Sequence, residues 1–359
     1  MSKKLKFICI IISLLFITTL FSVQNDQIYA YADNSSAEIV IELNTNRILH
    51  EKNAYVKKYM ASTTKILTAI TIIENCDINQ EVIITNKTIG IEGSSIYLEE
   101  GEKLSVKQLL YGLMLRSGND CAETLAVHCS GSIDEFAKLM NETAKRIGAN
   151  NSNFVNPHGL HNDNHYTTAY DLAIISSYSM KNEIFSEIVA KQSVIIPHIT
   201  RNYNRKLVNK NKMLYNYEGS NGIKTGYTKK AGRCLVTSCT RNGLDLICVV
   251  LNCPPMYETS KILLDNSFNN YKNYTLVESD NILGFVKIKN SEEKVGLCIK
   301  NDIVLPLTNE EYNNIDIRYN YNENIEKPQK NFEENGYIEI YCKNNLIFKE
   351  KIYTIFILK

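Results

Sequence analysis

Residues 60–75 read MASTTKILTAITIIEN, a segment that combines a regular hydrophobic pattern with two reactive side chains. Its apolar residues recur at helical spacing, so we predict a helix over residues 62–75 that buries one face in a core. Ser62 lies at the start of this helix, and Lys65 projects from the same face three residues later. A serine hydroxyl beside a lysine amine is a nucleophile with a general base, provided that burial or nearby positive charge lowers the pKa of the amine. Taken alone, the pair is more typical of a capping serine and an exposed lysine.

The segments around this helix alternate between strand and helix patterns. Residues 38–43 and 48–49 read as two strands of a hairpin joined by a polar turn. The remaining patterns predict helices at 106–114, 121–129, 133–147, 169–179 and 257–271, and a strand pair at 234–240 and 244–251. After about residue 274 only short β-like runs follow. We therefore predict an α+β fold, an antiparallel sheet packed by helices, with a smaller C-terminal all-β domain.

The N-terminus has the three parts of a secretory signal. Lys3, Lys4 and Lys6 precede an apolar run over residues 7–21, and Ala30-Tyr31-Ala32 forms a small-x-small cleavage site. We predict a signal peptide over 1–32, a main domain over 33–273 and a β domain over 274–359, in a protein that is exported to the cell wall or secreted. If the signal were left uncleaved, its apolar run would anchor the chain in the membrane.

The amino-acid composition argues against a disordered protein and against a nucleic-acid-binding protein. With 44% hydrophobic and 22% charged residues, the 359-residue chain is too apolar to be disordered. Its 40 Lys and Arg oppose 39 Asp and Glu, and the resulting net charge of +1 provides no field that would attract nucleic acid. We therefore expect no nucleic-acid partner.

The cysteines show no metal-binding or redox motif. Ten are present, and loss of Cys9 with the signal leaves an odd number, so they cannot all pair internally. Since neither C-x-x-C nor Cys/His ligand spacing occurs, we expect no metal and no cofactor. Cys234, Cys239, Cys248 and Cys253 lie in an apolar stretch and are interpreted as small buried hydrophobes. Most cysteines are expected to be reduced, with one or two disulfides left open.

Two further motifs carry chemistry. Ser117-Gly118-Asn119 is predicted to form a turn between helices, where a hydroxyl can relay a proton and an amide can both donate and accept. Lys224-Thr225-Gly226 is predicted to open a strand, where a cation and a hydroxyl can hold a carboxylate. The glycine would let a ligand backbone approach the strand closely.

In this order, S-x-x-K, S-x-N and K-T-G resemble the motif set of the penicillin-interacting serine enzymes. The chain resembles the low-molecular-weight penicillin-binding proteins, specifically the serine-type D-alanyl-D-alanine carboxypeptidases. The similarity extends over residues 37–271 and includes Asn156-Pro157-His158-Gly159-Leu160. It implies the penicillin-binding/β-lactamase-like transpeptidase fold.

The resemblance implies a catalytic role for four matched residues. Ser62 would attack the carbonyl of the penultimate D-Ala and become acylated, and Lys65 would accept its proton. Ser117 would relay a proton to the leaving amine, and Asn119 would fix both the peptide and Lys65.

The resemblance also implies a binding role for the third motif. Lys224 and Thr225 would bind the terminal carboxylate beside Gly226. The backbone N–H groups of Ser62 and Tyr227 would form the oxyanion hole.

The implied partners are peptidoglycan stem peptides ending in D-Ala-D-Ala and, as covalent inhibitors, β-lactam antibiotics. A D,D-endopeptidase, a β-lactamase and a catalytically silent wall-binding protein remain alternatives. His158 is expected to shape the loop below the site and not to complete a serine-histidine triad. Cys121 brings a thiol near the cleft, and Lys210 stands where the family has an arginine.

Overall fold

The computed structural model describes residues 35–198 and 203–356. The chain divides into two compact units, the first ending at Ser267 and the second beginning at Phe268. The predicted signal peptide, residues 1–32, lies outside the described residues.

The first unit is built on a five-stranded antiparallel sheet in the order β2-β1-β9-β8-β7, so β7 is an edge strand. Asn242 and Gly243 both have positive φ in the β8–β9 turn, as a tight hairpin requires. The sheet strands are β1 (Ala37–Glu42), β2 (Ile48–Lys52), β7 (Ser220–Thr228), β8 (Gly232–Arg241) and β9 (Leu244–Leu251). Two separate hairpins are β3 (Glu81–Ile83) with β4 (Lys103–Ser105) and β5 (Ser193–Pro197) with β6 (Asn204–Val208).

Helices pack against both faces of this sheet. Ile247 and Val249 of β9 belong to the main hydrophobic core, whereas Cys248 between them is buried outside that core, on the opposite face of the strand. The α-helices are α1 (Lys65–Asn75), α2 (Val106–Leu115), α3 (Asn119–Ser130), α4 (Ile133–Ile147), α5 (Ala169–Met180), α6 (Glu183–Ala190), α7 (Met213–Asn216) and α8 (Met256–Asn270). One-turn 3-10 helices lie at Ala61–Thr64 and Asn86–Thr88.

Helix α1 is the central element of the unit, because residues 65–72 are buried on every side. A helix that is apolar around most of its circumference is stable only inside a core, which explains why its threonines are buried with its isoleucines. The first residue of this central helix is Lys65, so the fold itself removes the amine from water.

The second unit is β-rich with its own core. A six-stranded sheet has the order β14-β16-β17-β12-β11-β15, and β10 pairs with β13. Its elements are β10 (Lys272–Val277), β11 (Gly284–Ile288), β12 (Lys294–Cys298), β13 (Ile303–Leu307), α9 (Asn309–Tyr312), β14 (Ile315–Tyr321), β15 (Asn324–Ile325), β16 (Glu334–Cys342) and β17 (Asn345–Ile355). Among the described residues of both units, no helix is long and apolar enough to span a membrane.

The predicted α+β class is confirmed, with three local differences. The helix expected over 62–75 starts as the 3-10 turn Ala61–Thr64 and becomes α-helical at Lys65. The hairpins β3–β4 and β5–β6 and the short helices α6 and α7 were not predicted. Lys224-Thr225-Gly226 was expected to open its strand, but it lies in the middle, because β7 starts at Ser220 and pairs with β8 along its length.

Candidate active site

Ser62 lies on the 3-10 turn immediately before α1. No side chain caps this turn, and Ala61 has a positive φ of 48°. Thr63 Oγ1 and Thr64 Oγ1 donate to the carbonyls of Met60 and Ala61, which fixes the turn from inside. The Ser62 hydroxyl is therefore not a helix cap and is available to Lys65.

Lys65 has three polar neighbours and no exposed surface. Its Nζ lies 3.1 Å from Ser62 Oγ, 2.7 Å from Asn119 Oδ1 and 2.7 Å from the carbonyl oxygen of His158. Burial, followed by the positive charge of Lys224, holds the pKa of the Lys65 amine well below its usual value. The sequence condition for a lysine base, a lowered pKa beside a serine hydroxyl, is met by this geometry.

Asn119 is the first residue of α3, and three hydrogen bonds fix it. Its backbone N–H donates to the carbonyl of Ser94 at 2.7 Å, and its Nδ2 donates to the carbonyl of Glu92 at 2.6 Å. Because Nδ2 is used in this way, Oδ1 must face Lys65. Ser117, with φ of 63°, lies buried in the turn between α2 and α3.

Lys224 is buried on β7, where its Nζ donates to the carbonyl of Thr225 at 3.0 Å. Burial, reinforced by the charge of Lys210, lowers the pKa of the Lys224 amine to about 7. Lys210 itself donates to Ser94 Oγ at 2.9 Å, and burial followed by the charge of Arg116 lowers its pKa. Lys224, Lys210 and Arg116 therefore form a positive cluster that suits a carboxylate.

Gly226 lies against the nucleophile turn. A Cβ at this position would lie 3.0 Å from the Met60 carbonyl oxygen and 3.1 Å from the Ser62 nitrogen. The glycine thus allows β7 to approach the nucleophile turn of the same chain. Its role in admitting a ligand backbone stays a prediction. Tyr227, the next residue, is 62% exposed on this edge strand.

His158 contributes to the site through its carbonyl group. Its ring Nδ1 accepts from the Leu160 N–H at 3.1 Å, so Nε2 carries the proton and faces Glu123 Oε1 at 3.3 Å. Burial is the main cause that lowers the pKa of the ring. The ring therefore holds the loop and does not contact Ser62.

Two positioning residues were missed. Asp120 is buried and accepts from Ser95 Oγ and from the N–H groups of Ile96 and Leu98. These bonds fix the loop that contains Ser94, whose carbonyl accepts from the Asn119 N–H. Glu123 holds His158. An acid directly after the S-x-N motif was a signal for the first, but nothing in the sequence connects Glu123 to residue 158.

Cys121 is closed to the cleft. It is buried, and a Cβ on Gly112 would lie 2.5 Å from its Sγ. Burial raises the pKa of this thiol well above its usual value, so it is an inert packing residue. Among the described residues, no group of three or more potential ligands could hold a metal ion.

One cluster thus contains Ser62, Lys65, Asn119 and Lys224. Comparison with known proteins shows the family to which the chain belongs. Residues 22–254 match the profile of peptidase S11, D-alanyl-D-alanine carboxypeptidase. The chain belongs to this family. Residues 271–355 match the C-terminal domain of penicillin-binding protein 5.

Individual relatives agree with both matches. D-alanyl-D-alanine carboxypeptidase DacF of Bacillus subtilis is 32% identical over 317 residues, 85% of this chain and 81% of that protein. DacB2 of Mycobacterium tuberculosis is 33% identical over 215 residues, 59% of this chain and 73% of that protein. The structure of penicillin binding protein 5 from Haemophilus influenzae superposes with a TM-score of 0.79 at 25% identity, covering 90% of this chain and 97% of that one.

The chain is therefore a serine-type D-alanyl-D-alanine carboxypeptidase of the low-molecular-weight penicillin-binding proteins. The family, the fold class and the enzymatic activity predicted from the sequence are confirmed. Membership implies peptide substrates, β-lactam ligands and action outside the cytoplasm.

Proposed function

We propose that Ser62 is the nucleophile and that neutral Lys65 is its general base. A neutral lysine amine has two N–H donors and one lone pair. The carbonyl oxygens of Asn119 and His158, each 2.7 Å away, accept both donors. The lone pair is then left for the Ser62 hydroxyl at 3.1 Å. This arrangement is the observation that carries the proposal.

In the proposed reaction, Lys65 takes the Ser62 proton as the oxygen attacks the carbonyl of the penultimate D-Ala. The N–H groups of Ser62 and Tyr227 stabilise the oxyanion. Ser117 passes the proton to the amine of the departing D-Ala. Water then hydrolyses the ester and restores Ser62.

Lys224 and Thr225 are proposed to bind the terminal carboxylate of the peptide, with Lys210 adding positive charge. A carboxylate beside Lys224 would raise the pKa of an amine that is now about 7, so substrate binding would bring a proton into the site. Because β7 is an edge strand, a peptide can pair with its free backbone groups. A β-lactam has the same carboxylate and a strained amide, and its acyl-enzyme would keep the leaving group attached.

The substrate class is proposed to be peptidoglycan stem peptides ending in D-Ala-D-Ala, met in the cell wall after export. The signal-like residues 1–32 support export. The enzyme would contact a membrane if that segment were left uncleaved.

The test combines labelled penicillin with a D-Ala-D-Ala peptide. Wild type and the control Ser291→Ala, which changes an exposed serine of the second unit, should form a stable adduct and release D-Ala. Ser62→Ala should do neither. Lys65→Arg keeps a donor for Asn119 but cannot lose its proton, so acylation should fall roughly 10²–10⁴-fold.

Other outcomes would support the alternatives. Rapid turnover of penicillin would indicate a β-lactamase, and D-Ala release from cross-linked dimers alone would indicate an endopeptidase. Peptide binding without any reaction would indicate a silent wall-binding protein. Near wild-type acylation of Lys65→Arg would refute the base assignment.

A further inference from the structure

Two cysteines lie together at the ends of the helices that carry the catalytic groups. Helix α1 begins at Lys65 and is followed by Cys76, while α3 begins at Asn119 and has Cys129 in its last turn. Lys65 and Asn119 are hydrogen-bonded, so the two helices start side by side. Their far ends meet as well, because the Cys76 and Cys129 side chains interact there, and helices of 11 and 12 residues place this pair about 16 Å from the active site.

The two thiols are neighbours. Their side chains lie within hydrogen-bonding reach of each other. Both residues are half-buried, whereas the other seven cysteines in the described part of the chain are buried. This pair thus combines proximity with access to a reagent in solution.

The contact makes the two sulfurs chemically unequal. The hydrogen bond from Cys76 is the main cause that lowers the pKa of Cys129 to about 7, and Ser130 lowers it further. The same bond raises the pKa of Cys76. A thiol whose pKa is near the ambient pH is the best attacking group in thiol-disulfide exchange, so Cys129 is suited to react first.

We propose that Cys76 and Cys129 form an intramolecular disulfide when the protein meets a low-molecular-weight disulfide outside the cytoplasm. The Cys129 thiolate attacks one sulfur of that reagent and releases one small thiol. The Cys76 thiolate, after losing its proton to solvent, attacks the mixed disulfide at the Cys129 sulfur and releases the second. Two protein thiols are oxidised and one small disulfide is reduced to two thiols.

The bond would close the loop of residues 76–129 and join α1 to α3 at their far ends. A closed loop of this length restricts the unfolded chain, so the thermal midpoint should rise by roughly 5–15 °C. Carboxypeptidase activity should stay within about twofold, because the bond forms at the end of each helix opposite to Lys65 and Asn119. The disulfide is therefore a stabilising modification of the exported enzyme.

The purified full-length protein is treated with oxidised glutathione at about pH 8 and quenched with acid, and the remaining thiols are alkylated under denaturing conditions. Mass spectrometry of a non-reduced digest should show a peptide linking Cys76 to Cys129 and two fewer alkylated thiols. Cys76→Ser should instead keep glutathione on Cys129, because the resolving thiol is absent. The control Cys342→Ser, at a buried position of the second unit, should form the link as wild type does.

Thermal unfolding of the oxidised and reduced forms completes the test. Wild type should show the upward shift on oxidation and Cys76→Ser should not, and penicillin acylation checks that both are folded. Wild-type protein whose cysteines all remain alkylated, or a linkage between any other two cysteines, would overturn the proposal.

Discussion

Replacing Lys224 with methionine is expected to stabilise the first unit and abolish its activity. The pKa of the buried Lys224 amine falls from 10.5 to about 7, mainly because burial disfavours its charged form. Between these values the unfolded chain binds more protons than the folded chain. The contribution of Lys224 to the free energy of unfolding is therefore most unfavourable at and below pH 7, and this penalty shrinks as the pH rises towards 10.5. Methionine has a similar volume and no charge, so this dependence disappears.

The size of the effect follows from the pKa difference. At about 1.4 kcal/mol per pKa unit, burial of Lys224 costs roughly 4 kcal/mol at pH 7 and about 2 kcal/mol at pH 9. Loss of the 3.0 Å hydrogen bond to the Thr225 carbonyl offsets roughly 1–2 kcal/mol of the gain. We expect a net stabilisation of about 2–3 kcal/mol at pH 7 that shrinks by about 2 kcal/mol at pH 9.

Hydrogen exchange of peptides from α1 measures this change in the first unit alone, because α1 lies at the centre of its core. Protection at pH 7 and pH 9 is compared, after correction for intrinsic exchange, among wild type, Lys224→Met and the exposed control Lys206→Met. The control should behave as wild type does. A Lys224→Met variant that is less stable than wild type at pH 7, or whose gain is the same at both pH values, would refute the reasoning.

Three further predictions concern the same site. Gly159→Ala would place a Cβ 1.9 Å from the Ala61 carbonyl oxygen, at a residue whose φ is 84°. Penicillin acylation should therefore slow at least tenfold, and the thermal midpoint should fall. A variant with unchanged acylation and midpoint would contradict this contact. Glu123→Leu should slow acylation several-fold, because it removes the acceptor that holds the His158 ring. Glu123→Gln should not slow it, since a neutral ring needs only a hydrogen-bond acceptor. Equal losses in the two variants would show that the negative charge of Glu123 matters. The kcat/KM of D-Ala release should decline as the pH rises above about 7, where Lys224 loses its proton, and Lys224→Arg should remove that decline.

The sequence predicted the elements that have a clear hydrophobic period. The helix over 133–147 and the strand over 244–251 have the predicted bounds, and the hairpin turn at Asn242 and Gly243 is present. Hairpin β5–β6 was missed because its residues alternate between partly buried and exposed positions with little apolar contrast. The family and activity followed from three motifs in a fixed order, which the family match confirms.

The side chains that hold the catalytic groups could not be predicted from the sequence. The carbonyl of His158 reaches Lys65 although 93 residues separate them, and a backbone oxygen leaves no signal in the choice of residue. The contact of Gly226 with the nucleophile turn was also not predicted, because sequence alone does not show which backbone lies beside a glycine. Residue types therefore predicted the chemistry, and tertiary contacts decided which groups support it.

The buried amines of Lys65 and Lys224 are hydrogen-bonded to carbonyl oxygens and not to carboxylates. A carboxylate partner would stabilise the folded protein, but it would also hold each amine protonated and occupy the place of a substrate carboxylate. Carbonyl oxygens satisfy the N–H groups without supplying a full negative charge. In the proposed mechanism, Lys65 can then be a base, and a peptide or β-lactam carboxylate would supply the counter-charge of Lys224. The same choice of partners that lowers stability at pH 7 would therefore favour binding of the proposed substrate carboxylate.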